Sequence, residues 1–398
     1  LDPIVVVGAS LGGLSALDAL RTGGYDGDVV VLEAASGLPS DRPPLSKQVL
    51  AGTMDPDAAR QPLAAKLEEL RADVRWSTVV ESFVASDLRL RLRNGEELQA
   101  AGVVVATGAA PRTLGGPNLA GVHVLRTLED CLALRADLDV GPDRVVVVGA
   151  GFIGAEVAAT CRELGLSVTL LEGAPAPMAR VLPESVGSFV ADLHRAHGVD
   201  VRLGVGVDGL VGADGRVSGV RLGDGTTIAA QVVVVGIGVA PSTGWLAGSG
   251  VPLGNGVTCD ETCLAVPGVV AAGDVAEWFN PHFGERMRVE QWEHAIEQGA
   301  AAGRRLLAGD GPGEPFASVP WFWSDQYDRK FQMAGRPAAT DEAHVFEGSF
   351  EEQRFVVAFR RGDRCTGVLG VNRPRHVVQS RMRLAESLAW EPIEALLS

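Results

Sequence analysis

Two short glycine-bearing turns are the first segments of this chain that could do chemistry. Gly8-Ala-Ser-Leu-Gly-Gly13 follows the apolar run Ile4–Val7 and leads into Leu14, Leu17 and Leu20 at helical spacing. Gly149-Ala-Gly151-Phe-Ile-Gly154 follows Val145–Val148 in the same way, with Val157, Cys161 and Leu164 along one helix face. Each turn is answered by a second apolar run ending in an acid. Residues 29–32 lead to Glu33, 25 residues after Gly8, and residues 168–171 lead to Glu172, 23 residues after Gly149. Strand, glycine turn, helix, strand and acid together make the pattern of a dinucleotide site. The glycines let the backbone approach a pyrophosphate seated on the helix N-terminus, and the acid takes a ribose hydroxyl. The second copy has all three glycines, whereas Ser10 stands at the middle position of the first. Two such units imply one bound cofactor and one exchanging substrate.

Three further apolar runs end in polar turns where a ligand of an open α/β sheet would lie. They are residues 103–106 before Thr107-Gly108, residues 232–235 before Gly236, and residues 269–272 before Gly273-Asp274. Asp274, just beyond its strand, is placed to take a cofactor hydroxyl.

The composition permits this architecture. Of 398 residues, 46% are hydrophobic and 21% charged, enough for a large core in roughly two to three domains of about 150 residues. The net charge of −15 argues against nucleic acid as a partner. The longest uncharged stretch, residues 226–259, is interrupted by Gly236, Gly238, Pro241 and Pro252, so no membrane span is expected. Leu1 to Val7 runs straight into a strand, so no secretory signal is expected. The five cysteines form no C-x-x-C and no paired framework, which fits small core residues in a reduced cytoplasm. Seven scattered histidines offer no metal-type cluster.

Taken together, the two glycine turns, Ala106-Thr-Gly108 and Gly273-Asp274 resemble the two-nucleotide flavoprotein superfamily that includes glutathione reductase. Within it, Asp41-Arg-Pro-Pro-Leu-Ser-Lys47, Glu290-Gln-Trp292, Gln298-Gly299 and Pro320-Trp-Phe-Trp-Ser-Asp-Gln-Tyr327 resemble bacterial NADH-dependent ferredoxin reductases. The resemblance covers essentially the whole chain. It implies an α/β protein with two Rossmann-like domains and a small α+β C-terminal domain. The FAD-binding domain would take residues 1–112 and 243–319, the NAD-binding domain 113–242, and the last domain 320–398.

The same resemblance assigns roles. Non-covalent FAD would lie with its pyrophosphate at Gly8, Ser10 and Gly13, its adenosine ribose at Glu33, and its ribityl chain at Asp274 beside Gly273. Thr107 and Gly108 belong to the same cofactor-binding set. Aligned on Asp41-Arg-Pro-Pro, however, the reductases' usual acid falls nearer Ala35, and Ser40 replaces a common aromatic residue. Arg42 and Lys47 match a cofactor-contacting pair, with Lys47 expected beside the isoalloxazine. Glu290 and Trp292 match residues near the flavin's pyrimidine edge, at the opening of a helix through Ala295. NADH would meet Gly149, Gly151 and Gly154 through its pyrophosphate and Glu172 through its ribose, with Glu156 near the nicotinamide. Lys47, Glu156 and Trp292 are the expected catalytic set. Arg180 is the nearest cation to Glu172 that could favour a 2′-phosphate.

The reaction so implied is hydride transfer from NADH to FAD, then two single-electron transfers to a 2Fe-2S ferredoxin serving a monooxygenase or Rieske-type dioxygenase. The enzyme would be cytoplasmic and a monomer or weak dimer. A disulfide reductase or peroxidase would need a redox cysteine near residues 34–50, where none stands. An NADH-sensing switch resembling apoptosis-inducing factors shares the architecture but typically carries insertion and targeting segments. Residues 320–398 hold equal numbers of acids and bases, so the negative charge lies in residues 1–319. A locally basic ferredoxin-docking surface is expected among Arg304, Arg305, Arg329, Lys330, Arg336, Arg373 and Arg375.

Overall fold

The computed structural model describes residues 2–60, 65–67 and 69–397. Leu1, from which the sequence reading runs into the first strand, and Ser398 lie outside the described residues. The chain forms two compact units. One comprises Leu1–Asp41, Asp57–Ala110 and Ala240–Pro320, and the other Arg42–Pro56, Pro111–Val239 and Trp321–Ser398.

The first unit is built on runs of β-branched residues buried on both faces, as the central strands of a parallel sheet require. Its six strands lie in the order Leu264–Val266, Val269–Ala271, Gly102–Val105, Ile4–Val7, Val29–Leu32 and Asp73–Arg75. Ile4 pairs with both Val29 and Gly102, and only the Leu264–Val266 edge strand runs antiparallel. The helix Leu11–Thr22 leaves the first glycine turn and packs on Trp292–Leu307. That contact is backbone to backbone. A Cβ on Gly299 would sit 2.4 Å from the Gly12 carbonyl oxygen, and one on Gly303 would sit 2.4 Å from that of Ala16.

The second unit repeats the design. Five parallel strands lie in the order Asp200–Leu203, Val168–Glu172, Val145–Val148, Val232–Val235 and Val122–His123. The same unit carries an antiparallel sheet of Trp321–Gln326, Arg329–Gly335, Arg364–Val371, Arg354–Arg361 and Glu342–Ser349, followed by two helices. This sheet shares a core with the helix Glu184–Ala196. Phe189, Val190 and Leu193 meet Phe331, Phe355 and Leu369, with Phe189 edge-on to Phe355 at 4.9 Å.

The two glycine turns are alike in detail. Gly8 and Gly149 have φ of +108° and +100°, and a Cβ on either would strike the backbone of the neighbouring strand's end. A Cβ on Gly13 or Gly154 would fall 2.0 Å from the carbonyl oxygen of Gly8 or Gly149. The middle position differs, since a Cβ on Gly151 would meet no heavy atom within 4 Å. Replacing Gly154 by Ala is therefore expected to lower stability by about 3 kcal/mol or more, or to prevent folding. Replacing Gly151 by Ala should cost about 1 kcal/mol or less, the difference between two weak N-caps. Urea unfolding of the two variants against the parent checks the contrast.

Candidate functional site

At each turn the helix begins without a side-chain cap, at Ser10 in one unit and at Gly151 in the other. The first-turn amides, which have no partner within a helix, are thus left for an outside anion. The acid at the end of the next strand closes each turn from the side. Glu33 accepts from the amides of Ala9 at 2.8 Å and Ala35 at 2.9 Å, and Glu172 accepts from Ala150 and Ala174 at the same two distances. An uncapped helix end and a fixed carboxylate in both units, with open space at Gly151 in the second, fit the pyrophosphate and ribose of a dinucleotide.

The other residues of the first unit gather on the carboxyl ends of its strands. Thr107 donates to the Ser242 carbonyl at 2.9 Å, and Gly108 turns the chain with φ of +67°. Gly273 opens a short 3-10 turn holding Asp274, which is nearly buried, and its amide donates to Gln298 Oε1 at 2.9 Å. Gln298 therefore orients the turn that presents Asp274. Trp292 is the first residue of its helix, three residues earlier than the sequence reading marks it, and its indole donates to Asp41 Oδ1 at 2.6 Å. Glu290 is exposed and pairs with Arg288 at 2.6 Å.

In the second unit, Lys47 and Glu156 are brought together. Arg42 heads the segment Arg42–Pro56 and is exposed. The backbone of that segment is tied down by side chains of the second nucleotide fold. The Cys131 thiol donates to the Leu45 carbonyl at 3.1 Å and Thr160 Oγ1 to that of Ser46 at 2.8 Å. Lys47 Nζ then lies 3.0 Å from Glu156 Oε2, with 12% and 4% of their side chains exposed. Ser46 Oγ donates to the same oxygen, and Ser324 Oγ donates to Oε1 at 2.7 Å. Paired and multiply hydrogen-bonded, the two charges can be buried without an orphaned group.

Sequence reasoning gave no role to Ser46, Ser324 and Gln298, although all three stand within the motifs that carry the resemblance, and it did not mark Thr160. Thr160 stands four residues after Glu156 on one helix face, a spacing that could have flagged it. Ser46 adjoins Lys47, whereas nothing in the motif around Ser324 shows that its hydroxyl meets Glu156.

All five cysteines are buried and free. Burial is the first cause that raises every thiol, to about 11 for Cys131, to about 12 for Cys161, Cys259 and Cys365, and well above the ordinary value for Cys263. Such thiols hold no appreciable thiolate at neutral pH. Buried His194 is also displaced. Burial pushes its pKa down to about 4, opposed by the Gln326 hydrogen bond and assisted by His197.

Two nucleotide cradles of one design, one beside a buried lysine–glutamate pair, define a two-nucleotide oxidoreductase. The chain belongs to the pyridine nucleotide-disulphide oxidoreductase family, whose model matches residues 2–299, and a reductase C-terminal model matches residues 321–395. It is 36% identical to rhodocoxin reductase of Rhodococcus erythropolis over 98% of this chain and 91% of that one. It is 38% identical to the ferredoxin–NAD(+) reductase component of the anthranilate 1,2-dioxygenase system of Burkholderia cepacia, over 98% and 96%. The crystallised covalent complex of putidaredoxin reductase with putidaredoxin matches with a TM-score of 0.91 at 32% identity, covering 100% of this chain and 96% of that one. The fold is the α/β two-nucleotide fold with an antiparallel C-terminal domain, and FAD and NADH are its cofactors. Among the described residues, no helix is long and apolar enough to cross a membrane.

Two outcomes follow from the buried groups. The unfolded chain binds a proton at His194 near pH 6.5, and the folded protein only near 4. Stability is therefore full above about pH 6.5 and declines as pH falls toward 4, with about 2 kcal/mol lost to this group between about pH 7.5 and 5. Urea midpoints of the parent and a His194→Asn variant should diverge accordingly, with the variant lacking that part of the slope. For the thiols, the native protein should leave all five unreacted with a disulfide reagent until it is denatured. Folded variants with Ser at any of the five positions should retain flavin reduction by NADH. A single replacement that abolishes reduction without unfolding would identify a redox thiol.

Proposed function

We propose that this enzyme passes electrons from NADH through FAD to a 2Fe-2S ferredoxin that serves a monooxygenase or a Rieske-type dioxygenase. When bound, FAD accepts a hydride and releases electrons one at a time, so it can join a two-electron donor to a one-electron acceptor. The observation that carries the reading is that all five thiols are buried and free, which argues against a redox disulfide as the acceptor of the flavin's electrons. The relatives reported above are named as a rhodocoxin reductase, a putidaredoxin reductase bound to putidaredoxin and the ferredoxin–NAD(+) reductase component of a dioxygenase system, which supports the same choice.

In this reading residues 1–112 and 243–319 hold FAD, 113–242 hold NADH, and 320–398 form the last domain. Gly8, Ser10, Gly13, Glu33, Thr107, Gly108, Gly273 and Asp274 bind FAD, with Arg42, Glu290 and Trp292 at its margins. Gly149, Gly151, Gly154 and Glu172 bind NADH, and Lys47 and Glu156 serve hydride transfer. Trp292 is held by its hydrogen bond to Asp41. The protein is assigned to the cytoplasm, as a monomer or weak dimer.

The docking surface can be narrowed. Arg305 donates to Thr262 and Gly309, Arg329 to Asp328 and Gln353, Lys330 faces Asp325 at 3.6 Å, and Arg373 pairs with Glu347 at 3.0 Å. Arg304 and Arg375 are exposed and make no ion pair with a described residue, so they are the better candidates for meeting an acidic ferredoxin.

The test is anaerobic reduction by NADH followed by turnover with the 2Fe-2S ferredoxins of the source organism. Rapid ferredoxin reduction is expected, with FAD released on acid precipitation. Slow turnover with every ferredoxin and a long-lived reduced flavoprotein would instead mark a nucleotide-sensing switch. Because Glu172 is held where a 2′-phosphate would have to approach, kcat/KM should favour NADH over NADPH by on the order of 10–100-fold. Glu172→Gln should narrow that ratio, and equal use of the two nucleotides by the parent would refute the assignment.

A further inference from the structure

We propose that Ser324, on the first strand of the C-terminal sheet, is a positioning residue that fixes the Glu156 carboxylate and, through it, the Lys47 ammonium. The proposal rests on the reading that Lys47 and Glu156 serve hydride transfer. Ser324 is fully buried, and its hydroxyl is the only one of the three donors to reach Oε1. The other two, Lys47 and Ser46, both sit on the Arg42–Pro56 segment and hold Oε2. The carboxylate is thus gripped on one oxygen by that segment and on the other by the C-terminal sheet. A lysine side chain has four rotatable bonds, so the place of its ammonium is set by what it pairs with.

A single chain of hydrogen bonds runs outward from Ser324. Its hydroxyl also meets Gln326 Nε2 at 3.3 Å, Gln326 Oε1 meets His194 Nε2 at 3.2 Å, and His194 Nδ1 meets the Tyr327 hydroxyl at 2.9 Å. Gln326 and His194 are fully buried. The direction of every proton follows from the carboxylate. Glu156 only accepts, so Ser324 donates to it and can accept only from the Gln326 amide nitrogen. That turns the Gln326 oxygen toward His194, so the ring carries its proton on Nε2. Nδ1 is left as the acceptor for Tyr327. Four donors therefore point the same way, Tyr327 to His194 to Gln326 to Ser324 to Glu156. A chain aligned in this sense polarises each bond in turn and strengthens the last one, on the carboxylate. His197 stacks on the Tyr327 ring at 3.6 Å and 7°, which holds the outer end in place.

The experiment uses the FAD-loaded enzyme and follows flavin reduction by NADH in a stopped-flow instrument, with thermal unfolding and FAD content measured alongside. Ser324→Ala is expected to slow reduction at saturating NADH by about tenfold, the loss of one charge-assisted hydrogen bond. The NADH concentration giving half the maximal rate should change by less than about twofold, since uniform binding is untouched. Ser324→Thr, which keeps the hydroxyl, should recover most of the rate. Glu156→Gln and Lys47→Met separate the two layers of the argument. If both slow reduction while Ser324→Ala matches the parent, the pair acts without Ser324 and the proposal is wrong. If neither slows it, the reading of the pair fails and takes the proposal with it. A Ser324→Ala variant with reduced thermal stability but the parental rate would make Ser324 a packing residue only, and would equally overturn the proposal.

Discussion

The structure depends on a backbone crossing made twice. In each nucleotide fold the chain leaves a buried parallel strand and turns so tightly that no Cβ fits at Gly8 against Ala106, or at Gly149 against Gly236. The turn has to be that tight for the helix to start directly over the strand's end, with its free amides facing outward. A second close approach, of Gly13 on Gly8 and Gly154 on Gly149, fixes how far the helix lies from the sheet. The strands, helix and anion seat are thus placed by four positions that admit only glycine. The middle position takes no part in this, and for that reason Ser10 can stand where its counterpart is Gly151.

The acids at the strand ends belong to the same construction. Glu33 and Glu172 each bridge the amide after the first glycine and an amide two residues beyond themselves. Each carboxylate is therefore oriented by the turn it closes. In the first unit the helix that starts at this turn needs a partner with almost no side chains, and Trp292–Leu307 supplies it through Gly299 and Gly303. The same partner helix carries Gln298, which orients the Gly273-Asp274 turn, and Trp292, which holds Asp41. One helix–helix contact thus connects the first glycine turn to the residues that frame the rest of that unit's ligand-facing edge.

This division explains what was legible in the sequence. The strands Ile4–Val7, Val29–Leu32, Val145–Val148 and Val232–Val235 stand where their apolar runs stand, because strands buried on both faces leave unbroken hydrophobic stretches. The glycine turns were legible because their steric demand is local. Glu156 and Lys47 were nameable only through resemblance, and no local pattern reveals that they meet. Ser46 is 110 residues from Glu156 in sequence and Ser324 is 168, so the contacts that define the carboxylate's surroundings leave no periodicity. The expected basic docking surface illustrates the same limit, since counting charges cannot distinguish Arg373, paired with Glu347, from exposed Arg375.

The Lys47–Glu156 pair is a poor way to gain stability. Moving both charges out of water is expensive, and apolar side chains of the same volume would commonly hold a fold as well or better. Nor is the pair needed to anchor its segment, because Cys131 and Thr160 already bind the backbone carbonyls of Leu45 and Ser46. Three donors are nevertheless spent on one carboxylate, two of them buried hydroxyls whose protons would lose their acceptor without it. What the arrangement does achieve is to fix the Lys47 ammonium to within a hydrogen bond's tolerance. The strand Trp321–Gln326 supplies, through Ser324, one of the three donors that hold the carboxylate of the nucleotide fold it packs on.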